Sequence, residues 1–521
     1  MKRDYREFVR AAAQLQGYAF PEREERWLAR LGNNQREIDA FHAAPEPGGH
    51  PVLMPPPVGV AQPQPLPGGV AKEGPCPASS ARGMAEAVRS GKVKARELVE
   101  AALAAADRNT HLNAFITLAR VQALAAADLI DKRVAAGDAK DLPLAGVPVA
   151  IKDLMQVAGL PMTGGSRSVD PVVSAEDAEA VRRLREAGAV VIGTANLHEL
   201  AYGVTSDNVH FGRVANPRAP GCIPGGSSGG SAAALAAGIV ALATGTDTGA
   251  SIRLPSALCG TVGFKPTFDA ISRKGVMDLG TTLDTVGPMA TNVADCALMF
   301  EVMSGLKPGS TPFAASLKGV RVLKPLPYYY DDLDEELRAG VEAAIERMGC
   351  DGATVRSGAI ALSELAPAML MYTLATEAAL VHRERLRTRG QDMSEEVRVR
   401  LEMGQFFLGT EYVRAQQMRA AFRANMIAAL TENDVLALPT MRIPAPESGQ
   451  THYTVGGKQV VVHTAMSGLT SPFNVTNVPA ISIPCGATKN GKPLALQLVA
   501  APGADYKLLA IAARVEALLA A

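Results

Sequence analysis

The 521-residue chain is short of several things, and each shortage narrows what it can be. Six cysteines (Cys76, Cys222, Cys259, Cys296, Cys350 and Cys485) lie scattered with no C-x-x-C pair, which fits neither a disulfide framework nor a zinc ribbon. Charge of either sign is not in excess: 52 Lys and Arg balance 52 Asp and Glu, so neither nucleic acid nor an anionic membrane is suggested as a partner. The longest apolar run, residues 232–243, has twelve residues, where a bilayer span takes about 20. The N-terminus, MKRDYREF, has no apolar stretch of the kind a signal peptide needs. No repeat of solenoid period and no His/Cys/Asp cluster with metal-ligand spacing is found. A cytoplasmic location, with no metal and no cofactor, is the expectation.

What is present is apolar material for a large core, at 47% of residues. Tyr5, Phe8, Val9 and Ala12 recur at helical spacing, as do Trp27, Leu28, Leu31, Ile38 and Phe41. Residues 1–44 therefore read as a pair of amphipathic helices with a turn near Pro21. Eleven prolines between residues 45 and 77 mark 45–78 as an extended, semi-rigid linker. A helical pair that short buries little surface alone and must pack on the main body or on a partner. From residue 79 to 521, helical stretches alternate with apolar runs such as VPVAIKD, AVVIGTAN, GIVALATG and PAISIPCG. That alternation predicts one α/β domain with a mostly buried sheet. The segment 333–435 is helical, and its basic patch at 382–390 reads as a solvated helix face.

The unusual stretch is GCIPGGSSGGSAAALAAGIVALATGTDTGASIRLPS, residues 221–256. Glycines bracket Ser227 and Ser228 before an Ala-rich helix whose N-terminus carries unpaired N–H groups. Ser251 follows Ser227 by 24 residues and closes a second small-residue turn, Thr248-Gly249-Ala250-Ser251. Such a turn exposes consecutive N–H groups that suit a developing oxyanion. GGSSG also matches the G-x-S-x-G elbow at Ser227, but three prolines on its approach oppose the strand an elbow requires. A phosphate-binding loop is excluded because Ser227 stands where its lysine belongs. Ser304-Gly305-Leu306-Lys307 matches S-x-x-K at a helix end, without companion motifs. A serine nucleophile needs a base. His198 is one candidate, with a structural role as the plainer reading. Lys152, ending an apolar strand-like run, is another, if burial lowers its pKa; otherwise it is a surface residue at a strand end.

LAGVPVAIKDL, the GGSSGGS…TGASIRLPS…GFKPT block and LDTVGPMATNVAD, in that order, resemble the amidase signature family from about residue 79 to 521. The resemblance implies an amidase signature fold, a large mixed central β-sheet covered by helices on both faces, preceded here by the N-terminal helical extension. It implies a Ser–cisSer–Lys triad on Ser251, Ser227 and Lys152. Thr248, Gly249 and Ala250 would form the oxyanion hole, with Ser228, Asp247 and Arg253 in support. Ala250 departs from the family, which usually has glycine there. If the position needs no positive φ, the extra methyl only narrows the pocket floor.

The activity implied is hydrolysis of a linear amide to a carboxylate plus ammonia or an amine. The alternatives are carbamate or urea-like cleavage, or an amidotransferase subunit freeing ammonia from glutamine. The partner expected is a small-molecule amide, with a homodimer as the base-rate assembly. The pocket walls should come from 305–470, with Met371, Tyr372, Phe406, Phe407 and Tyr412 as lining candidates and no arginine singled out for a substrate carboxylate.

Overall fold

The computed structural model describes residues 5–15, 21–45, 58–71 and 79–520. The turn expected around 16–20, most of the proline-rich stretch (46–57 and 72–78) and Cys76 lie outside them. The apolar runs become strands. In chain order these are β1 Phe115–Leu118, β2 Pro148–Lys152, β3 Val190–Ala195, β4 Leu242–Asp247, β5 Val262–Lys265, β6 Thr285–Ala290, β7 Arg321–Pro325, β8 Thr354–Gly358, β9 Val435–Pro439, β10 His452–Val455, β11 Lys458–Val461, β12 Ala480–Ala487 and β13 Pro493–Val499.

Among the described residues, eleven of them form one mixed sheet in the order β1-β3-β2-β4-β6-β5-β12-β13-β9-β7-β8, and β10 and β11 make a separate hairpin. β3, β2 and β4 run parallel, which requires the helical connections that the sequence alternation predicted. β4, β6, β5, β12, β13 and β9 are antiparallel neighbours. Every residue of β2, β3, β4, β6, β9 and β13 is buried. Successive side chains point to opposite faces, so both faces of the sheet are covered. Val149 and Ile151 of β2 enter one apolar cluster, and Ala150 enters another that includes Ala232, Ala233, Ala234 and Leu235 of the helix Gly229–Ala236. Among the described residues no helix is long and apolar enough to cross a membrane.

The N-terminal segment differs from the two-helix expectation. It holds three helices, Tyr5–Leu15, Pro21–Asn33 and Gln35–Ala43, because the chain breaks at Asn34. Pro21 opens the second, as a residue with no N–H to lose at a helix start. Their apolar stripe (Val9, Ala13, Trp27, Leu31, Ile38) packs on Val399, Met403 and Phe406 of the main body. The Trp27 indole meets the Phe406 ring edge-on at 5.1 Å and donates to Glu402 Oε2 at 2.9 Å. Phe41 lies 4.4 Å from the Tyr372 ring, with the Arg414 guanidinium 5.0 Å from its centroid. Replacing Trp27 by alanine is expected to cost roughly 3 kcal/mol or more of docking energy. Limited proteolysis should then clip the first 45 residues while the main body keeps its melting temperature.

Candidate active site

Lys152 ends β2 and is fully buried, so it is not the surface residue that its position alone allowed. Its Nζ lies 2.7 Å from Ser227 Oγ and 2.7 Å from Thr246 Oγ1, and its backbone N–H donates to Thr244 Oγ1 at 2.9 Å. Burial brings its pKa down to about 7, against the opposing pull of the Asp247 and Asp284 carboxylates.

Ser227 follows a cis Gly226–Ser227 peptide and is fully buried. Among the described residues no strand leads into it, which removes the elbow reading. Its carbonyl accepts from the backbone N–H of His198 at 3.1 Å. Gly225 takes φ +82°, and a Cβ there would sit 2.7 Å from Pro255 Cα, so the approach to the turn requires glycine. The helix Gly229–Ala236 and β4 then carry the chain to the second turn. Ser228 joins the two turns: its N–H donates to the Ser251 carbonyl at 3.2 Å.

The second turn hangs on Asp247, the last residue of β4. Asp247 Oδ2 accepts from the N–H groups of Ile252 at 3.1 Å and Arg253 at 3.3 Å. The Arg253 guanidinium, fully buried, grips Asp247 through Nε at 3.0 Å and Nη2 at 2.9 Å. It also donates to the Thr470 carbonyl, Gln497 Oε1 and Asn474 Oδ1 at 2.9, 2.8 and 2.6 Å. Burial opposes ionisation of Asp247, but Arg253 and Asn474 outweigh it and hold the carboxyl at about 2. Among the described residues, the N–H groups of Thr248, Gly249, Ala250 and Ser251 donate to no protein acceptor. Ala250 has no positive φ, so its methyl fits without backbone conflict.

Thr248, Gly249, Ala250 and Ser251 line a cavity of about 140 Å³, whereas Ser227 and Lys152 stand behind them. Leu279, Leu370, Met371, Leu374, Met403 and Phe407 give it an apolar wall. Of the suggested lining residues, Met371 and Phe407 reach it, while the other three do not. Tyr372 packs under Phe41, Phe406 against Trp27, and Tyr412 donates to Glu377 Oε1 at 3.0 Å. The buried His198 imidazole has Nδ1 3.2 Å from Thr205 Oγ1 and Nε2 3.8 Å from Glu396 Oε2, and among the described residues it hydrogen-bonds to neither serine hydroxyl. Ser304 Oγ donates to the Phe300 carbonyl at 2.5 Å as a helix end.

Four contributors escaped the sequence. Thr244 and Thr246, which hold the lysine, were visible only as alternate threonines in LATGTD. Asp284 accepts from the Thr248 hydroxyl at 2.6 Å and from the N–H groups of Leu279 and Gly280 at 2.7 and 3.0 Å. Burial pushes its carboxyl up to about 6 even so. Arg30, from the N-terminal helices, lines the cavity and had no local signal.

A cavity-facing serine, a second serine and a buried amine behind it, and free N–H groups beside it define an acyl-transfer site of the amide-hydrolase class. A family model described as Amidase matches residues 97–509, and the chain belongs to that family. An amidase of Pseudomonas putida is 37% identical over 423 residues, which are 78% of this chain and 89% of that one. A glutamyl-tRNA(Gln) amidotransferase subunit of Chromohalobacter salexigens is 36% identical over 467 residues, 82% of this chain and 94% of that one. A solved amidase structure, 32% identical, superposes with a TM-score of 0.80 over 84% of this chain and 99% of its own. The enzyme is a hydrolase of amide C–N bonds.

Removing the Arg253 charge with Arg253→Met strands a buried carboxylate and is expected to cost about 3–5 kcal/mol in denaturant unfolding. Ala250→Gly enlarges the pocket floor, and kcat/KM for bulky over small amides should rise by roughly tenfold. An unchanged ratio in steady-state assays would reject the steric role of that methyl.

Proposed function

We propose that Ser251 is the nucleophile of a linear-amide hydrolase, that Ser227 relays its proton, and that Lys152 is the base. The observation that carries this is the contact of the buried Lys152 Nζ with Ser227 Oγ at 2.7 Å, behind a Ser251 that lines the cavity. With its pKa brought down to about 7, Lys152 is substantially neutral at physiological pH. Ser251 Oγ attacks the amide carbonyl carbon as its proton passes to Ser227 Oγ and the Ser227 proton passes to Lys152 Nζ. The carbonyl oxygen becomes an oxyanion received by the N–H groups of Thr248, Gly249 and Ala250. The proton returns through Ser227 to the departing nitrogen, the C–N bond breaks, and ammonia or an amine leaves an acyl-Ser251. Water then adds to the ester carbonyl, losing its proton to the same relay, and the carboxylate departs as Ser251 regains its hydroxyl. Asp247, Arg253, Ser228 and Asp284 are positioning residues in this scheme.

Carbamate or urea-like substrates would pass through the same steps. The similarity to glutamyl-tRNA(Gln) amidotransferase chains keeps glutamine as an ammonia donor in view as a second reading; glutaminase activity confined to a co-purifying complex would favour it.

A fluorophosphonate probe is expected to label Ser251, with the adduct located by peptide mass spectrometry. Lys152→Ala should abolish labelling and lower kcat/KM on the order of 10³-fold or more. An adduct on Ser227 with Ser251 unmodified would reject this assignment. Since a protonated Lys152 cannot accept the proton, kcat/KM should rise with pH along an acid limb near 7. An amide hydrolase with no ionisation in that limb would have another base.

A further inference from the structure

Docking of the N-terminal helices turns one stripe of them into the cavity. Arg30, Asn34 and Glu37 line the same space as Ser251. Trp27 and Leu31, which flank Arg30, are buried in the docking contact, and Arg30 itself is half-buried in the cavity wall.

Opposite stands Arg400 of the helix Glu395–Gly404, also in the cavity wall. Arg400 is already engaged: it donates to the Tyr202 carbonyl and, at 2.5 Å, to Glu396 Oε1. The Arg30 guanidinium makes no hydrogen bond and no ion pair among the described residues. Its neighbours are Arg400, Tyr202 and Glu396, and the Arg400 charge together with burial lowers its pKa to about 10. His463, on the same wall, and His198 behind it are held neutral by burial. The balance around Arg30 is therefore two guanidinium charges against one carboxylate. Glu37 lies further along the wall, on the side of Tyr328, with its Oε2 buried and unpartnered.

A half-buried guanidinium beside a second one, on a mostly apolar cavity wall and without a paired counter-ion, is stabilised by an anion that completes it. The fork geometry of arginine suits a carboxylate in particular. We infer that Arg30 of the N-terminal helices, backed by Arg400, is an anion subsite of the substrate pocket, and that the preferred amides carry a carboxylate at the end remote from the scissile bond. This rests on the assignment of the Ser251 cavity as the acyl-transfer site. It makes the extension a determinant of specificity rather than a packing arm.

The test pairs succinamate and glutaramate with the uncharged butyramide and valeramide of equal length. The native enzyme should favour the anionic member of each pair, and Arg30→Gln should cut that ratio of kcat/KM roughly 10- to 100-fold. The loss should fall on KM, with partial rescue in Arg30→Lys, which keeps the charge but not the fork. Trp27, the single tryptophan, lies one helical turn before Arg30 and reports glutarate binding without turnover. Glutarate should quench or shift its emission in the native protein and not in Arg30→Gln, whose unliganded emission confirms that the helices stay docked. No anionic preference, or a ratio that survives Arg30→Gln, overturns the subsite while hydrolysis of the neutral amides leaves the triad assignment standing. Glutarate binding through Arg30 with no amide hydrolysed and no Ser251 adduct overturns the triad instead. Failure of both overturns both.

Discussion

An amine at the end of a strand buried on both faces must either find a counter-ion or give up its proton, and much of this site follows from that constraint on Lys152. The nearest carboxylates are not free to serve it. Asp247 is committed to the equally buried Arg253. Asp284 is spent on the Thr248 hydroxyl and two backbone N–H groups. Desolvation therefore wins, and bringing the amine from its ordinary value to about 7 corresponds to roughly 5 kcal/mol against the charged form. The contacts that remain to Lys152 Nζ are hydroxyls, those of Ser227 and Thr246, which tolerate either protonation state because each can donate or accept. A proton acceptor near neutrality is thus a consequence of where the sheet puts the lysine.

The serines are held by a different device. The first turn is fixed by close approach, with Gly225 pressed against Pro255 and the Ser227 carbonyl held from the backbone of His198. The second is fixed electrostatically, with Asp247 capping the backbone of Ile252 and Arg253 while Arg253 ties it to Thr470, Asn474 and Gln497. Replacing a buried pair of this kind by apolar groups is often neutral for stability, so its value here is placement: it keeps the N–H groups at 249–251 turned away from other acceptors. The Ser228 N–H to Ser251 carbonyl bond then makes the two turns one unit.

Much of this was legible in the chain itself, for physical reasons. Strands buried on both faces are written as short continuous apolar runs, and VPVAIK and AVVIGTA became β2 and β3. Turns that need bare backbone are written as glycine, and GGSSGG announced the first. The resemblance to the amidase signature family supplied what spacing could not, the pairing of Ser251 with Ser227 and Lys152. Other features could not be read. The break at Asn34 is marked only by Gly32-Asn33-Asn34, and the apolar spacing of Trp27, Leu31, Ile38 and Phe41 runs on across it, so two helices and three look alike from Pro21 to Ala43. Tyr372 and Phe406 look as suited to a pocket as Met371 and Phe407, because adjacent residues of like character, on the helix Ala366–Val381 or in the turn after Gly404, do not say which of them faces a void. Asp284 stands inside the LDTVGPMATNVAD motif, but that motif assigned it no role, and only the fold brings it to Thr248.

Arg30 is the sharpest case. Locally it belongs to PEREERWLARLGN, a helix whose charges look like an ordinary solvated face. Glu25 does behave that way, pairing with Arg6 at the surface. Docking reverses the sense of the same face elsewhere on the helix. Arg23 pairs with the buried Glu402 and Trp27 donates to its other oxygen, so the contact consumes a buried main-body carboxylate at the seam. Arg400 is likewise matched by its own helical neighbour Glu396. With both of these acids of the helix Glu395–Gly404 engaged, Arg30 arrives at the cavity with no carboxylate paired to it, Glu37 lying further along the wall. The unmet charge is created by docking itself, which is why an extension outside the catalytic sheet bears on what the catalytic serine receives.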